Sequence, residues 1–300
     1  MFATLLGGLP RPPLPDDAQS GDLVAAAIGS QEAAGLEPLV DGGLWGNDEL
    51  GTVVERWHAT AALTDRAVKA VVLGPWSATA ARDAGEYALA AAADATNSIL
   101  RKLAAAGCPL VEVHEPAVTS LGPDTPTRRR FVETQQRVLD GVDGLHVSLA
   151  ITGGSADEAG IDALLGAPYS SLALDLVRGP DNWRIAAATP RSIGIVCGAM
   201  TADAAGDEAV EILLYALNYA ASTAGRGPDR VGVATAGSLA DVPWEVAERR
   251  MRRLGDAVRL AIASPDERAA ALDPRAISIR SAALGRSGVR RAKGRSTGRS

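Results

Sequence analysis

The sequence predicts a single (β/α)8 TIM barrel over residues 1–274, followed by a disordered basic tail over residues 275–300. Two observations predict the barrel: eight short apolar segments alternate with longer helical ones, and the length suits a fold that usually needs about 250 residues. The tail follows from the charge distribution, because residues 275–300 hold seven Arg and one Lys but no acid. The 300-residue chain has a net charge of −6, so the first 274 residues carry −14. A Gly-, Ser- and Arg-rich segment of this kind has little to bury and is not expected to fold.

Eight segments rich in Val, Leu and Ile, each bounded by Gly, Pro or Asp, are typical of parallel strands buried on both faces. They cover residues 4–7, 38–41, 68–73, 110–113, 145–150, 171–175, 192–197 and 231–234. Helical periodicity marks residues 83–106, 127–139, 207–223 and 243–263. Asp241 is the expected N-cap of the last helix, with Pro243 in its first turn. A doubly wound sheet is the alternative, but residues 7–13 lack the G-x-G-x-x-G turn of its nucleotide-binding members.

Composition excludes several classes of protein. With 47% hydrophobic and 22% charged residues, the chain has the composition of a folded globular protein rather than a disordered one. No run of eighteen apolar residues occurs, so no membrane span is predicted, and the first ten residues do not resemble a signal peptide. Two cysteines are too few for a disulfide framework or a zinc ribbon. These features predict a cytoplasmic protein.

Reactive residues of barrel enzymes follow the carboxyl ends of the strands, and three candidates for catalysis stand there. His114 and Glu115 end the fourth predicted strand and could form an acid–base pair, because His titrates near neutral pH. Asp175 ends the sixth strand, where a buried carboxylate needs a partner such as Arg178 or His146. A structural role in a turn or a buried hydrogen bond is the alternative for each of them.

Five further residues are candidates for binding a substrate. Asp41 and Trp45 follow the second predicted strand, and Cys197 ends the seventh. His146 and Ser148 have the same parity on the fifth strand, so both should point into the barrel. The alternatives are a buried, hydrogen-bonded histidine, a packed tryptophan and a small buried cysteine. A substitute metal site formed by His114, His146, Asp175 and Cys197 is chemically conceivable.

Short motifs follow the predicted strands in a fixed order. Residues 6–11 read Leu-Gly-Gly-Leu-Pro-Arg, Asp41-Gly42 precedes Asn47-Asp48, residues 73–75 read Leu-Gly-Pro, and residues 113–117 read Val-His-Glu-Pro-Ala. They resemble I-G-S-F-P-R, H-G-E followed by R-N-D, L-T-G-P and I-D-E-P-A in the catalytic barrel of cobalamin-independent methionine synthase. The resemblance extends from residue 6 to about residue 260 and also implies the superfamily of uroporphyrinogen decarboxylase.

The resemblance implies a zinc ion that turns the sulfur of homocysteine into a nucleophilic thiolate. The family's H-x-C ligand pair falls on Ser148 and Ala150, its glutamate on Asp175, and its last cysteine on Ala236. One carboxylate does not make a zinc site, so no cofactor is expected here. The family's proton-transferring histidine falls on Ala199.

By resemblance the chain is a methyl- or alkyl-transferase acting on a thiol, and the lost ligands predict that it is divergent or inactive in that reaction. A non-catalytic barrel that binds a small molecule or a protein is the alternative, and a metal-free, decarboxylase-like barrel is a third possibility. A small molecule is expected at the barrel mouth. The tail at residues 275–300 is a candidate arm for an acidic partner or a nucleic acid, although it has no aromatic residue for base stacking.

Overall fold

Parallel strands and surrounding helices alternate through the residues described by the computed structural model, which are 1–46, 52–80, 85–203 and 208–272. Within them, seven parallel strands form one sheet in the order β1-β7-β6-β5-β4-β3-β2. The strands are β1 (Phe2–Thr4), β2 (Lys69–Leu73), β3 (Leu110–His114), β4 (His146–Ile151), β5 (Ser171–Asp175), β6 (Gly194–Met200) and β7 (Val231–Thr235). We call the opening at their carboxyl ends the mouth.

Ten α-helices occur in the described part of the chain. They are α1 (Ser20–Ala33), α2 (Val53–Ala61), α3 (Pro75–Ala80), α4 (Glu86–Ala105), α5 (Thr125–Leu139), α6 (Ile161–Leu164), α7 (Asn182–Ala188), α8 (Val210–Ser222), α9 (Trp244–Ile262) and α10 (Pro265–Ala271). None of these helices is both long and apolar enough to span a membrane. The N-cap of α9 is Pro243, which makes no side-chain cap, and not the expected Asp241.

The two faces of the sheet bury different residues. The main core lies between the sheet and the helices and includes Val111, Leu149, Cys197 and Leu217. The opposite face holds a small cluster of Leu6, Ala150, Ala173, Val196 and Ala234. This cluster joins residues from strands several positions apart in the sheet, so the sheet is curled and this is its inner face. Inward side chains alternate with outward ones along each strand.

The second predicted strand is not a strand in the structure. Within residues 38–41, Leu39 forms a single parallel bridge with Val68. Its backbone N–H donates to Ala67 at 2.8 Å, and its carbonyl accepts from Lys69 at 2.9 Å. On the other side, the backbone N–H of Glu37 donates to the backbone oxygen of Ala3 in β1 at 2.8 Å. The ladder cannot extend along this segment because Pro38 has no N–H to donate.

The other seven predicted strands are confirmed, with ends shifted by up to three residues. The doubly wound alternative is wrong, because β1 lies at an edge of the sheet beside β7 rather than in its middle. Tail residues 275–300 lie outside the described residues, so the disordered tail stays a prediction.

Candidate functional site

Three titratable side chains are in contact on the inner face: Lys69 of β2, and Glu112 and His114 of β3. Lys69 Nζ donates to Glu112 Oε1 and to the backbone oxygen of Leu5, both at 2.6 Å. The second carboxylate oxygen, Glu112 Oε2, lies 3.1 Å from Nε2 of His114. The side chains of Lys69 and Glu112 are buried, whereas that of His114 is 14% exposed. His114 is therefore the member of this network that a ligand at the mouth can reach.

The charges of this network stabilise each other. Burial alone would raise the pKa of Glu112, but the Lys69 ammonium and the His114 imidazole outweigh burial and hold that pKa below its ordinary value. Burial lowers the pKa of Lys69, and the carboxylate of Glu112 opposes this shift. Either charge alone would be costly in a site of low dielectric constant. Lys69 thus fixes the carboxylate, and the carboxylate fixes the imidazole ring.

Sequence reasoning missed Lys69 and Glu112, although a signal was present. Both are charged residues inside short apolar strands, where an inward-facing charge needs a partner. In the register of β2 and β3, Lys69 is opposite Leu110 and Val71 is opposite Glu112, so both charges face inward. Neither lies at the carboxyl end of its strand, where the sequence predicts the reactive residues.

Glu115 does not pair with His114. Consecutive strand residues point to opposite faces, so the fully buried Glu115 carboxylate lies among the surrounding helices instead. It accepts from the backbone N–H groups of Trp76 (3.1 Å) and Ser77 (2.7 Å) and from Nε2 of Gln135 (2.8 Å). Burial raises the pKa of Glu115, and these hydrogen bonds oppose the rise. The structure therefore brings His114 together with Glu112 and not with the expected partner Glu115.

Asp175 has backbone partners rather than the predicted side chains. Its Oδ1 accepts from the N–H groups of Val177 (3.0 Å) and Arg178 (2.8 Å), and its Oδ2 accepts from Gly153 (3.0 Å). The Arg178 guanidinium pairs with Asp203 instead. The predicted partner His146 begins β4 and lies at the other end of the sheet. Asp175 is buried at the mouth and holds together the loops that follow β4 and β5.

His146 and Ser148 face inward as predicted, but near the amino ends of the strands. They line a cavity of about 390 Å³ together with Glu112 and Ser171. His146 is exposed rather than buried, and its Nε2 lies 2.8 Å from Oγ of Ser171. Its ring is nevertheless partly desolvated where it contacts Ser171, and this desolvation, together with the nearby Arg230, lowers the pKa of His146. His146 is thus placed away from a ligand at the mouth, whereas Ser148 is opposite Glu112 and two residues before Ala150.

Cys197 is placed on the outer face of β6, not at the mouth. It is fully buried, and its thiol lies 3.7 Å from the backbone oxygen of Ala216 in α8. Burial raises the pKa of Cys197 to about 12 and that of Cys108 to about 11, so both remain thiols at neutral pH. Neither sulfur is available as a thiolate.

Asp41 and Trp45 have local structural partners. Oδ1 of Asp41 accepts from the backbone N–H of Gly43 at 3.0 Å, and burial raises the pKa of Asp41. Trp45 is 8% exposed and donates from Nε1 to Oγ1 of Thr60 at 2.8 Å, so it packs in the core. The motif residues 47–48 lie outside the described residues.

The residues at the positions that the resemblance assigns to zinc ligands do not fit a zinc ion. Ala150 and Ala236 carry no ligand atom, and Ser148 Oγ lies 3.5 Å from the backbone oxygen of Ser171. Both carboxylate oxygens of Asp175 already accept backbone hydrogen bonds. In the described part of the chain, no three His, Cys, Asp or Glu side chains are close enough to hold a metal ion. The conceivable set of His114, His146, Asp175 and Cys197 is therefore not brought together.

Comparison with known proteins gives one curated relative and several solved structures. The 5-methyltetrahydropteroyltriglutamate–homocysteine methyltransferase of Nitrobacter winogradskyi is 32% identical over 151 residues, which are 50% of this chain and only 19% of that protein. No protein-family model matches the chain.

The solved structures share the fold. A B12-independent methionine synthase from Shewanella sp. W3-18-1, in complex with selenomethionine, superposes with a TM-score of 0.71 at 14% identity, covering 86% of this chain and 97% of that one. A methyltransferase from Methanosarcina mazei has a TM-score of 0.58 at 14% identity, covering 87% and 95%. The chain is thus similar to cobalamin-independent methionine synthase in sequence over half of its length and in fold over most of it.

Proposed function

We propose that this chain is a divergent relative of cobalamin-independent methionine synthase that binds a small molecule at its mouth without a zinc ion. The reaction implied by the relatives is methyl or alkyl transfer to a thiol such as homocysteine. One observation carries the proposal: the positions of the sulfur ligands hold Ala150 and Ala236, while both cysteines lie buried away from the mouth. Among the residues that the structure describes, no group of three His, Cys, Asp or Glu side chains could take the place of the ligands that such a zinc ion needs.

His114 is the acid–base group in this proposal. Its Nε2 is oriented by Glu112, so Nδ1 is the ring atom that can accept or donate a proton toward a ligand. The Lys69 ammonium helps to keep Glu112 ionised, so that Glu112 can hold the ring through Nε2. Glu115 and Asp175 act as positioning residues, because backbone N–H groups of the mouth loops bind their carboxylates.

The proposal includes a complete (β/α)8 barrel in the cytoplasm. Residues 37–40 stand where the eighth strand would be, and their backbone hydrogen bonds reach Ala3 on one side and Ala67 on the other. In addition, Lys69 Nζ donates to Leu5, which follows the strand at the opposite edge of the sheet. These contacts between the two edges of the sheet support its closure into a barrel.

The purified full chain is expected to contain substoichiometric zinc and to leave homocysteine unmethylated by methyl-folate or methylcobalamin. Elemental analysis and product detection test this directly. The combined substitutions Ser148→His, Ala150→Cys and Ala236→Cys, with Asp175 retained, should restore stoichiometric zinc if these are the ligand positions. Stoichiometric zinc and methyl transfer in the wild-type chain would contradict the proposal. A triple variant without zinc would show that the ligand positions are misassigned.

A non-catalytic barrel with the tail as a binding arm is the second candidate, and the charge of residues 275–300 favours it. The full chain should then bind a single-stranded RNA oligonucleotide at low salt, with affinity falling steeply as salt rises. Deleting residues 275–300 should abolish this binding and leave the melting temperature unchanged. Equal binding by the truncated chain would rule out the arm.

A further inference from the structure

A groove lined by aromatic side chains lies at the rim of the mouth, between the loop after β5 and helix α8. It encloses about 440 Å³ and is separate from the network of Lys69, Glu112 and His114. Among the residues that the structure describes, those that line this aromatic groove are Leu176, Val177, Trp183, Ala199, Glu208, Ile212, Tyr215 and Tyr219. Its volume and its largely apolar lining are those of a small-molecule site.

Three rings form one wall of the aromatic groove. The centroids of Trp183 and Tyr219 are 5.0 Å apart with the planes at 89°, and those of Trp183 and Tyr215 are 5.9 Å apart. Tyr215 and Tyr219 stack at 6.0 Å with the planes at 28°. Tyr215 is 60% exposed, although packing of this ring into the core would be favourable. The faces of these rings are electron-rich, and the contacts between the three rings hold the side chains in place.

Glu208 is the only charged residue among the described residues that line the aromatic groove. Its Oε2 accepts from the backbone N–H of Thr201 at 3.0 Å, and its backbone oxygen accepts from Arg253 at 2.8 Å. The carboxylate is therefore fixed at the groove rather than swinging freely in solvent. The carboxylate of Glu208 would repel a bound anion. A neutral apolar ligand would remove water from the carboxylate without offering it a hydrogen bond or a positive charge in return.

We propose that the aromatic groove binds an organic cation with a compact methylated ammonium head. The faces of Trp and Tyr rings attract such a cationic head, and a nearby carboxylate adds further electrostatic attraction. Its methyl groups bury apolar surface against Val177 and Ile212, which line the same groove. This inference does not depend on the reaction at His114.

Titration of the full chain with choline and with its uncharged carbon isostere, 3,3-dimethyl-1-butanol, tests the proposal. Choline should bind with a Kd in the millimolar range, and the isostere should bind at least about fivefold more weakly, because it lacks the cationic charge. Calorimetry or chemical-shift changes of the tryptophan indole N–H groups would measure both. Equal affinity for the two probes, or no binding of choline up to about 50 mM, would overturn the proposal.

Substitutions locate the binding. Tyr215→Leu and Glu208→Gln should each weaken choline binding about three- to tenfold, whereas Tyr215→Phe keeps the ring and should preserve it. Tyr87→Leu is the matched control, because Tyr87 is 89% exposed on α4 and distant from the groove. Unchanged affinity in both Tyr215→Leu and Glu208→Gln would place choline elsewhere and refute the site.

Discussion

Lys69→Met is expected to lower the free energy of unfolding by about 3–5 kcal/mol, because it leaves the buried Glu112 carboxylate without its cation. Methionine is about as long as lysine, so the loss of stability should come mainly from the missing charge and not from a change in side-chain volume. Urea denaturation monitored by circular dichroism measures the change. The exposed pair of Arg137 and Asp94 provides a control, since both side chains are more than half exposed. Arg137→Met should leave the free energy of unfolding nearly unchanged, because solvent screens an exposed ion pair.

The double variant Lys69→Met, Glu112→Gln separates the ion pair from general damage to the core. Removing both charges removes the buried, uncompensated carboxylate, so the double variant should be more stable than Lys69→Met alone. If instead the losses of the two single variants simply add, Lys69 and Glu112 do not interact as the 2.6 Å contact indicates.

The cost of Lys69→Met also depends on pH. The folded-state pKa of Glu112 lies below its unfolded value, so its contribution is present above the unfolded pKa and lost as pH falls through the lower, folded one. In Lys69→Met that contribution is missing at neutral pH. The difference between wild type and variant should therefore shrink as pH falls below the ordinary range of a glutamate. A difference that stays constant down to pH 3 would contradict this assignment.

Most of the fold could be predicted because its strands are short segments rich in Val, Leu and Ile that are bounded by turn residues. The exception, residues 38–41, has the same apolar character, but Pro38 removes a backbone donor from the ladder. Leu39 pairs with one neighbouring strand, and Glu37 bonds to the other. The apolar composition of residues 38–41 correctly predicts that the segment is buried. It does not predict how many residues pair with the neighbouring strands, because that number depends on the N–H group that Pro38 lacks.

The candidate site was predictable in part. The position of His114 at the mouth could be predicted, because His114 ends β3. The partner of His114 was predicted wrongly as Glu115, because side chains alternate between the two faces of a strand and Glu112, two residues before His114, is the one on the same face. The partners of Asp175 could not be predicted, because they are backbone N–H groups presented by loops around Gly153 and Val177. Sequence patterns report which side chains share a face, and they do not report loop conformation.

Two glycines inside helices should respond to alanine in opposite directions. In an exposed helix interior, Gly→Ala normally stabilises by up to about 1 kcal/mol, because alanine restricts the unfolded chain and favours the helix. Gly29 in α1 is such a position, since a Cβ there would have no atom within 4 Å. Gly29→Ala is therefore expected to raise the free energy of unfolding by up to about 1 kcal/mol.

Gly255 in α9 differs because a Cβ there would lie 1.7 Å from the backbone oxygen of Ala34, which follows α1. Backbone cannot swing aside as a flexible side chain can, so α1 and α9 would have to move apart. Overpacking of this kind costs about 1–3 kcal/mol or more, which outweighs the gain in helix propensity. Gly255→Ala should therefore lower the melting temperature while Gly29→Ala raises it, as measured by thermal denaturation of the two variants side by side. Stabilisation by Gly255→Ala would mean that the two helices do not approach as closely as the structure shows.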